Sequence, residues 1–192
     1  TGEHLDRLAA DHAGSPYLRR ESAGRSVAGR DIPLWTVTDP EAPEGGKRVV
    51  WLMARQHAWE THTSYCLDGL VRFLLGETPE AAELRRRLLV RLLPMMDPDG
   101  VARGGTRLNR HGYDLNRHWD RVDPDDPGAC ASMPEIAAAK HALRDWLASG
   151  EPRMDGSLDV HVPKSDVRPG TTHLSLPPPF LARLRIVLGA LD

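Results

Sequence analysis

Cysteine is nearly absent. The 192-residue chain holds only Cys66 and Cys130, too few for a disulfide framework and without the paired spacing of a thiolate metal site. Lysine is as scarce, at Lys47, Lys140 and Lys164, so arginine carries the positive charge. Its planar fork suits carboxylates and phosphates. Neither sign of charge dominates: 25 Lys and Arg face 27 Asp and Glu, for a formal net charge of −2. That balance argues against nucleic acid or an anionic membrane as the main partner. No apolar run approaches the about 20 residues that cross a bilayer, and no signal peptide is visible. The chain starts at Thr1 rather than methionine, and a cytoplasmic location is the expectation. What is present is 40% hydrophobic residues over the length of one domain, enough for a sizeable core.

The apolar residues recur with two periods. Ile32–Val37 and Arg48–Ala54 read as strands, the second a near-continuous apolar run of the kind buried in a parallel sheet. Pro33 suggests an edge position for the first. Leu67, Leu70, Val71 and Leu74 follow the helical i, i+3, i+4, i+7 rhythm, and Gly76 ends it. Thr78-Pro79-Glu80 reads as an N-cap, a first-turn proline and an acidic residue, opening a helix to about Arg87. Leu88–Met95 reads as a strand, Pro134–Gly150 as a helix, and Leu158–Val160 as one more strand. Asp39–Gly46 and Asp123–Gly128 are rich in Pro, Gly and Asp and read as loops. The expectation is a single α/β domain over residues 1–192, with a mixed, largely parallel central sheet flanked by helices. Ligands of such sheets sit beyond the carboxyl ends of the strands, here after Ala54, Met95 and Val160.

Two of those positions carry imidazole and carboxylate. Gln56-His57-Ala58-Trp59-Glu60 follows the strand ending at Ala54, and His161 follows the strand ending at Val160. Two histidines and a glutamate form the ligand set of an open, catalytic zinc site, with water in the fourth position. Asp159 is placed to orient a ligand, unless strand alternation turns it away. His62 is expected on the following helix surface, while His118 and His173 are further imidazoles. H-x-x-E arises by chance in many chains, so spacing alone leaves a structural role for His57 and Glu60 open.

Asp97-Pro98-Asp99-Gly100 is, by itself, a good turn, and an isolated Asn-Arg pair is commonest on solvated surface. Order changes this. Gly24–Ile32 (GRSVAGRDI), the H-x-x-E, the D-P-D-G, Asp114–Trp119 (DLNRHW) and the D-x-H ending at His161 together resemble the zinc carboxypeptidase family of the carboxypeptidase A type, leaning to its cytosolic carboxypeptidase-like branch. The resemblance runs from about Ser22 to His161. It implies that His57, Glu60 and His161 hold one zinc ion, and that Asn116 and Arg117 receive the substrate's terminal carboxylate. A guanidinium fork and an amide suit that task. It also implies that Arg107 stabilises the oxyanion, with Arg103 and Arg110 as competing candidates. The implied activity is hydrolysis of the C-terminal residue of a peptide or protein.

The chain also departs from the family pattern. The family's general base is a glutamate downstream of the last zinc histidine. Here Asp166 and Asp192 are the only carboxylate side chains beyond His161, and no tyrosine lies beyond Tyr113. Glu135 is expected to serve a helix N-terminus, and Glu151 lies in a loop. The fold is therefore expected to be incomplete at the C-terminus. The chain alone is expected to bind zinc and a peptide carboxylate with little or no hydrolysis. Two other readings stand beside this one. One is a non-catalytic zinc- and peptide-carboxylate-binding module. The other is an aspartoacylase-type zinc deacylase, whose fold relatives also use H-x-x-E and D-L-N-R. Trp119 and the D-P-D-G turn favour the carboxypeptidase.

Overall fold

The computed structural model describes residues 1–149 and 154–161. The chain divides into Thr1–His161 and Val162–Asp192. The second unit, with Asp166, His173 and Asp192, lies outside the described residues, as do Gly150 and Glu151.

The elements run α1 (Gly2–Asp11), β1 (Leu18–Arg25), β2 (Asp31–Val37), β3 (Arg48–Ala54), α2 (Thr61–Leu75), α3 (Pro79–Arg87), β4 (Leu88–Leu93), α4 (Pro98–Ala102), α5 (Pro127–Ser132), α6 (Pro134–Ala148) and β5 (Gly156–Val160). The five strands form one sheet in the order β1-β2-β4-β3-β5. β4, β3 and β5 are parallel, and β1 and β2 add an antiparallel pair. The sheet is therefore mixed, with the carboxyl ends of β3 and β5 side by side.

Strand alternation sorts the core into two layers. Trp35, Val37, Leu52, Ala54, Val90 and Leu92 face one way and pack with Leu5 and Leu8 of α1 and Leu67, Val71 and Leu74 of α2. Ile32, Leu34, Val49, Trp51 and Leu89 face the other way, against Ala138 and Ala139 of α6. The continuous apolar run of β3 is thus explained by burial on both faces. The caps follow local chemistry. The Thr78 hydroxyl accepts from Ala81 N at the start of α3, with Pro79 in the first turn.

Four expectations need correction. β2 is not an edge strand: β1 pairs along it and β4 pairs with its second half, Trp35–Val37. Pro33 is tolerated because the β4 ladder starts beyond it, and the β1 ladder shifts register at Ser22/Gly24, beside it. β4 stops at Leu93 rather than Met95, since Pro94 offers no N–H to the ladder. Asp123–Gly128 is not all loop. Pro127 starts α5, and the carboxylate of Asp126 caps it by accepting from Gly128 N. β5 begins at Gly156, two residues ahead of the apolar signal. Glu135 does lie in the first turn of α6, fully buried, accepting from Asn109 Nδ2 (3.1 Å). Burial pushes its carboxyl up.

The two motif stretches GRSVAGRDI and DPDG meet. The Asp99 carboxylate accepts from Ser26 Oγ (2.9 Å), Ala28 N (2.7 Å) and Arg30 Nη1 (2.8 Å). Gly29 makes the turn between β1 and β2 with φ +77°, a region that favours glycine. The D-P-D-G segment therefore anchors the β1–β2 hairpin as well as turning the chain.

Candidate metal centre

The loop from β3 to α2 carries two of the three expected donors. Main-chain bonds hold it beside the loop after β4: Met96 N donates to Ala54 O (3.0 Å) and Asp97 N to Arg55 O (3.0 Å). Gly100 of α4 approaches so closely that a Cβ there would lie 2.8 Å from Ala58 Cβ and 2.1 Å from Asp97 Oδ2. Arg55 is buried, with φ +57°. Its Nη1 donates to Ser64 Oγ (2.9 Å) and its Nη2 to Ala58 O (2.5 Å), which ties the loop to α2. Glu60 occupies the N-cap of α2, yet its side chain makes no capping bond. Its carboxylate turns to the histidines instead.

Glu60 Oε1 lies 3.0 Å from His57 Nδ1, and Glu60 Oε2 lies 2.8 Å from His161 Nδ1. One donor atom from each of the three lies within 4.8 Å of the others, and among the described residues this is the one such group. His57 and Glu60 are buried, at 2% and 4% exposure, while the His161 side chain is 23% exposed. Each imidazole has a second carboxylate on its far nitrogen. His57 Nε2 lies 2.9 Å from Asp114 Oδ1, and His161 Nε2 lies 2.6 Å from Asp159 Oδ2. Asp159 is thus not turned away by strand alternation, because positions i and i+2 share a side.

The electrostatics show an excess of negative charge. Burial raises the Glu60 carboxyl, but hydrogen bonds from His161 and His57 outweigh it and bring it down to about 2. Burial lowers the His161 imidazole, but Asp159 and Glu60 outweigh it and raise it to about 9. Three carboxylates around two imidazoles favour a cation at the centre. A divalent metal satisfies the same field by displacing the proton. Bonds of about 2.0–2.1 Å in a tetrahedron set donor atoms about 3.3 Å apart, close to the spacings found here. A nitrogen-and-oxygen donor set with carboxylate-backed histidines fits zinc.

Arg107 reaches the centre through Asp114: its Nε donates to Asp114 Oδ2 (2.6 Å), and its side chain is 40% exposed. Asn116 and Arg117 belong to the short 3-10 turn Leu115–Arg117. The Asn116 amide nitrogen lies 3.0 Å from His161 Nε2, so Asn116 stands beside the third donor. Arg117 is exposed, and its Nη1 donates to Asn116 O (2.8 Å). Arg103 is committed to the carbonyls of Leu108 (2.7 Å) and Asn109 (2.9 Å), a loop-holding role. Arg110 is exposed. His62 lies exposed on α2, and His118 Nδ1 bonds Asp114 O (2.8 Å), away from the donor group.

Sequence reasoning assigned no role to Asp114 or Gln56. Asp114 opens the D-L-N-R stretch, but its contact with His57 spans 57 positions and carries no local signal. Gln56 is 1% exposed. Its Nε2 donates to Asp159 Oδ2 (2.5 Å), and its Oε1 accepts from Trp119 Nε1 (2.8 Å).

Comparison with known proteins agrees with this geometry. The profile of the zinc carboxypeptidase family, peptidase M14, matches residues 3–165, and the chain belongs to that family. Mouse cytosolic carboxypeptidase 6 is 41% identical over 147 residues, which cover 76% of this chain and 26% of the relative. Zebrafish (Danio rerio) cytosolic carboxypeptidase 2 is 34% identical over 167 residues, covering 85% and 22%. The crystal structure of a metallo-carboxypeptidase from Burkholderia cenocepacia matches with a TM-score of 0.71 and 31% identity, over 84% of this chain and 40% of that one. The matched part of the chain therefore covers about a quarter of the length of these two relatives.

Proposed function

We propose that residues 1–192 are the metal-binding and carboxylate-recognising portion of a zinc carboxypeptidase that removes the C-terminal residue of a peptide or protein. The observation that carries this reading is the convergence of His57, Glu60 and His161 beyond the carboxyl ends of β3 and β5. These three residues would hold one zinc ion. Bound there, the ion would supply activation of a water and polarisation of a scissile carbonyl. The chain's own residues do the rest. Asp114 and Asp159 fix the two imidazoles so that their Nδ1 atoms face the centre. Asn116 and Arg117 hold the terminal carboxylate and so place the last peptide bond at the centre. Arg107 gives its Nε to Asp114, which leaves its terminal nitrogens for the developing oxyanion. Proton transfer needs a further carboxylate, and no glutamate follows His161 in the sequence. Hydrolysis by these 192 residues alone is therefore slow. The relatives' names support a cytosolic location.

The test joins metal and ligand. The parent protein should retain one zinc per chain through dialysis, and His161→Ala should lose it. A peptide with a free C-terminus should bind the parent more tightly than its amide. Arg117→Lys, which keeps the charge but loses the fork, should narrow that preference. Equal zinc in parent and His161→Ala, or equal binding of acid and amide, would refute the assignment.

A further inference from the structure

One interior chain of hydrogen bonds is not used by the steps above. Trp119 Nε1 donates to Gln56 Oε1 (2.8 Å), Gln56 Nε2 donates to Asp159 Oδ2 (2.5 Å), and the same Asp159 oxygen lies 2.6 Å from His161 Nε2. Gln56 is 1% exposed and directly precedes His57. We propose that Gln56 is a positioning residue that locks His161 to the metal loop by holding the Asp159 carboxylate, with Trp119 fixing which way the Gln56 amide faces.

Donors and acceptors along this chain of bonds have only one consistent arrangement. Asp159 sits on β5, a five-residue strand, while Gln56 sits in the loop after β3. Their bond spans 103 positions. The β3–β5 ladder ends at Ala54↔Val160, one residue short of His161. The backbone pairing therefore does not set the ring of His161. Its side-chain partners do: Glu60 on Nδ1, and Asn116 and Asp159 on Nε2. Of these, Asp159 makes the shortest contact, at 2.6 Å, and is itself 29% exposed and free to rotate unless something holds it. The only donor that an amide offers is its nitrogen, so the amide must face one way. Trp119 has an N–H and no acceptor, so it selects the face with the Gln56 oxygen toward itself and the nitrogen toward Asp159. The second Gln56 donor points to Met53 Sδ (3.7 Å), so no polar atom of this buried side chain is left without a neighbour. Leucine or methionine would fill the same space, so packing alone does not require an amide here.

This inference rests on the zinc reading above, and the experiment separates the two. Zinc affinity is measured by chelator competition on the full chain, for the parent, Gln56→Met, Asp159→Ala and the double variant. The visible ligand-field spectrum of the cobalt(II)-substituted proteins is recorded alongside. Outer partners of a ligating histidine usually contribute 10–100-fold in affinity, so Asp159→Ala should fall in that range and Gln56→Met should weaken binding about 10-fold. If Gln56 acts through Asp159, its effect should shrink to about two-fold or less in the Asp159→Ala background. Gln56→Met should also shift the cobalt bands, a change that lost packing far from the metal would not produce. Trp119→Phe should move both readouts in the same direction and serves in the cycle if Gln56→Met does not fold. Additive effects in the double variant, or parent-like affinity and spectrum in Gln56→Met, would overturn the positioning role while leaving the zinc site intact. Failure of the parent to bind either metal would overturn both.

Discussion

At Arg55 an L-residue takes a left-handed backbone conformation, φ +57°, at the first position of the metal loop. Such a conformation costs roughly 1–2 kcal/mol for a residue with a Cβ. It persists because the surroundings over-determine it: the guanidinium bonds Ser64 and Ala58, and the main-chain carbonyl accepts from Asp97 N. Substitution separates backbone from side chain. Arg55→Gly loses the two side-chain bonds but relieves the backbone, whereas Arg55→Ala loses the bonds and keeps the strain. Urea unfolding should therefore find Arg55→Ala less stable than Arg55→Gly by about 1 kcal/mol. The reverse order would mean that the backbone is not strained there. Nothing in the sequence announces this residue, since arginine is a poor marker of positive φ. His57, Glu60 and His161 were legible as candidates because they follow apolar strands, but only the order of the motifs around them pointed to a shared metal. Asp114 and Gln56 were not legible, because their contacts join segments far apart in the chain.

Elements were legible where an apolar period exists. α2, α3, α6, β3 and β4 all follow from spacing and caps. α1 was missed although its signal is present: Thr1 caps it, and Leu5, Leu8 and Ala9 form its buried stripe. β1 (LRRESAGR) offered no such signal, since most of it is exposed and its pairing with β2 is set by the tertiary fold. What holds that hairpin in place is Asp99, 1% exposed at the first turn of α4. Burial raises its carboxyl, but Ala28 N, Arg30 and Ser26 outweigh it, so the folded value lies below the ordinary one. A depressed carboxylate stabilises the fold fully above the ordinary aspartate value of about 3.9 and loses that contribution as pH falls through the folded value. Asp99→Asn should therefore cost about 1–3 kcal/mol at pH 7, discounted for the half-exposed Arg30. The gap to the parent should narrow as the pH is lowered from about 5 to about 2. Chemical denaturation across that range checks it, and a gap that stayed constant would show that Asp99 acts by shape alone.

On the scale of the whole molecule, the sequence supported the mixed α/β sheet and the placement of the site at its carboxyl end. It did not support the strand order, which depends on pairing across long separations. That order places β5 at one end of the described sheet, held by β3 on one side. Asp155 reinforces the start of this strand, accepting from Val49 N (2.9 Å) and from Arg48 Nη1 (2.8 Å). Its far end carries His161. His57 and Glu60 sit three positions apart, while Glu60 and His161 are separated by 101. A cation bound to all three closes that stretch into a ring, as a covalent cross-link would. The entropy removed from the opened chain grows with the size of the ring, though only logarithmically. Binding of such a cation and the tethering of β5 would then be one event. Chelation should speed amide hydrogen exchange along Leu158–Val160 while leaving Leu89–Leu92 of β4 unchanged, and reloading zinc should restore protection. A metal held by all three would act as a latch between β5 and β3, and a cell short of zinc would hold that strand pair loosened.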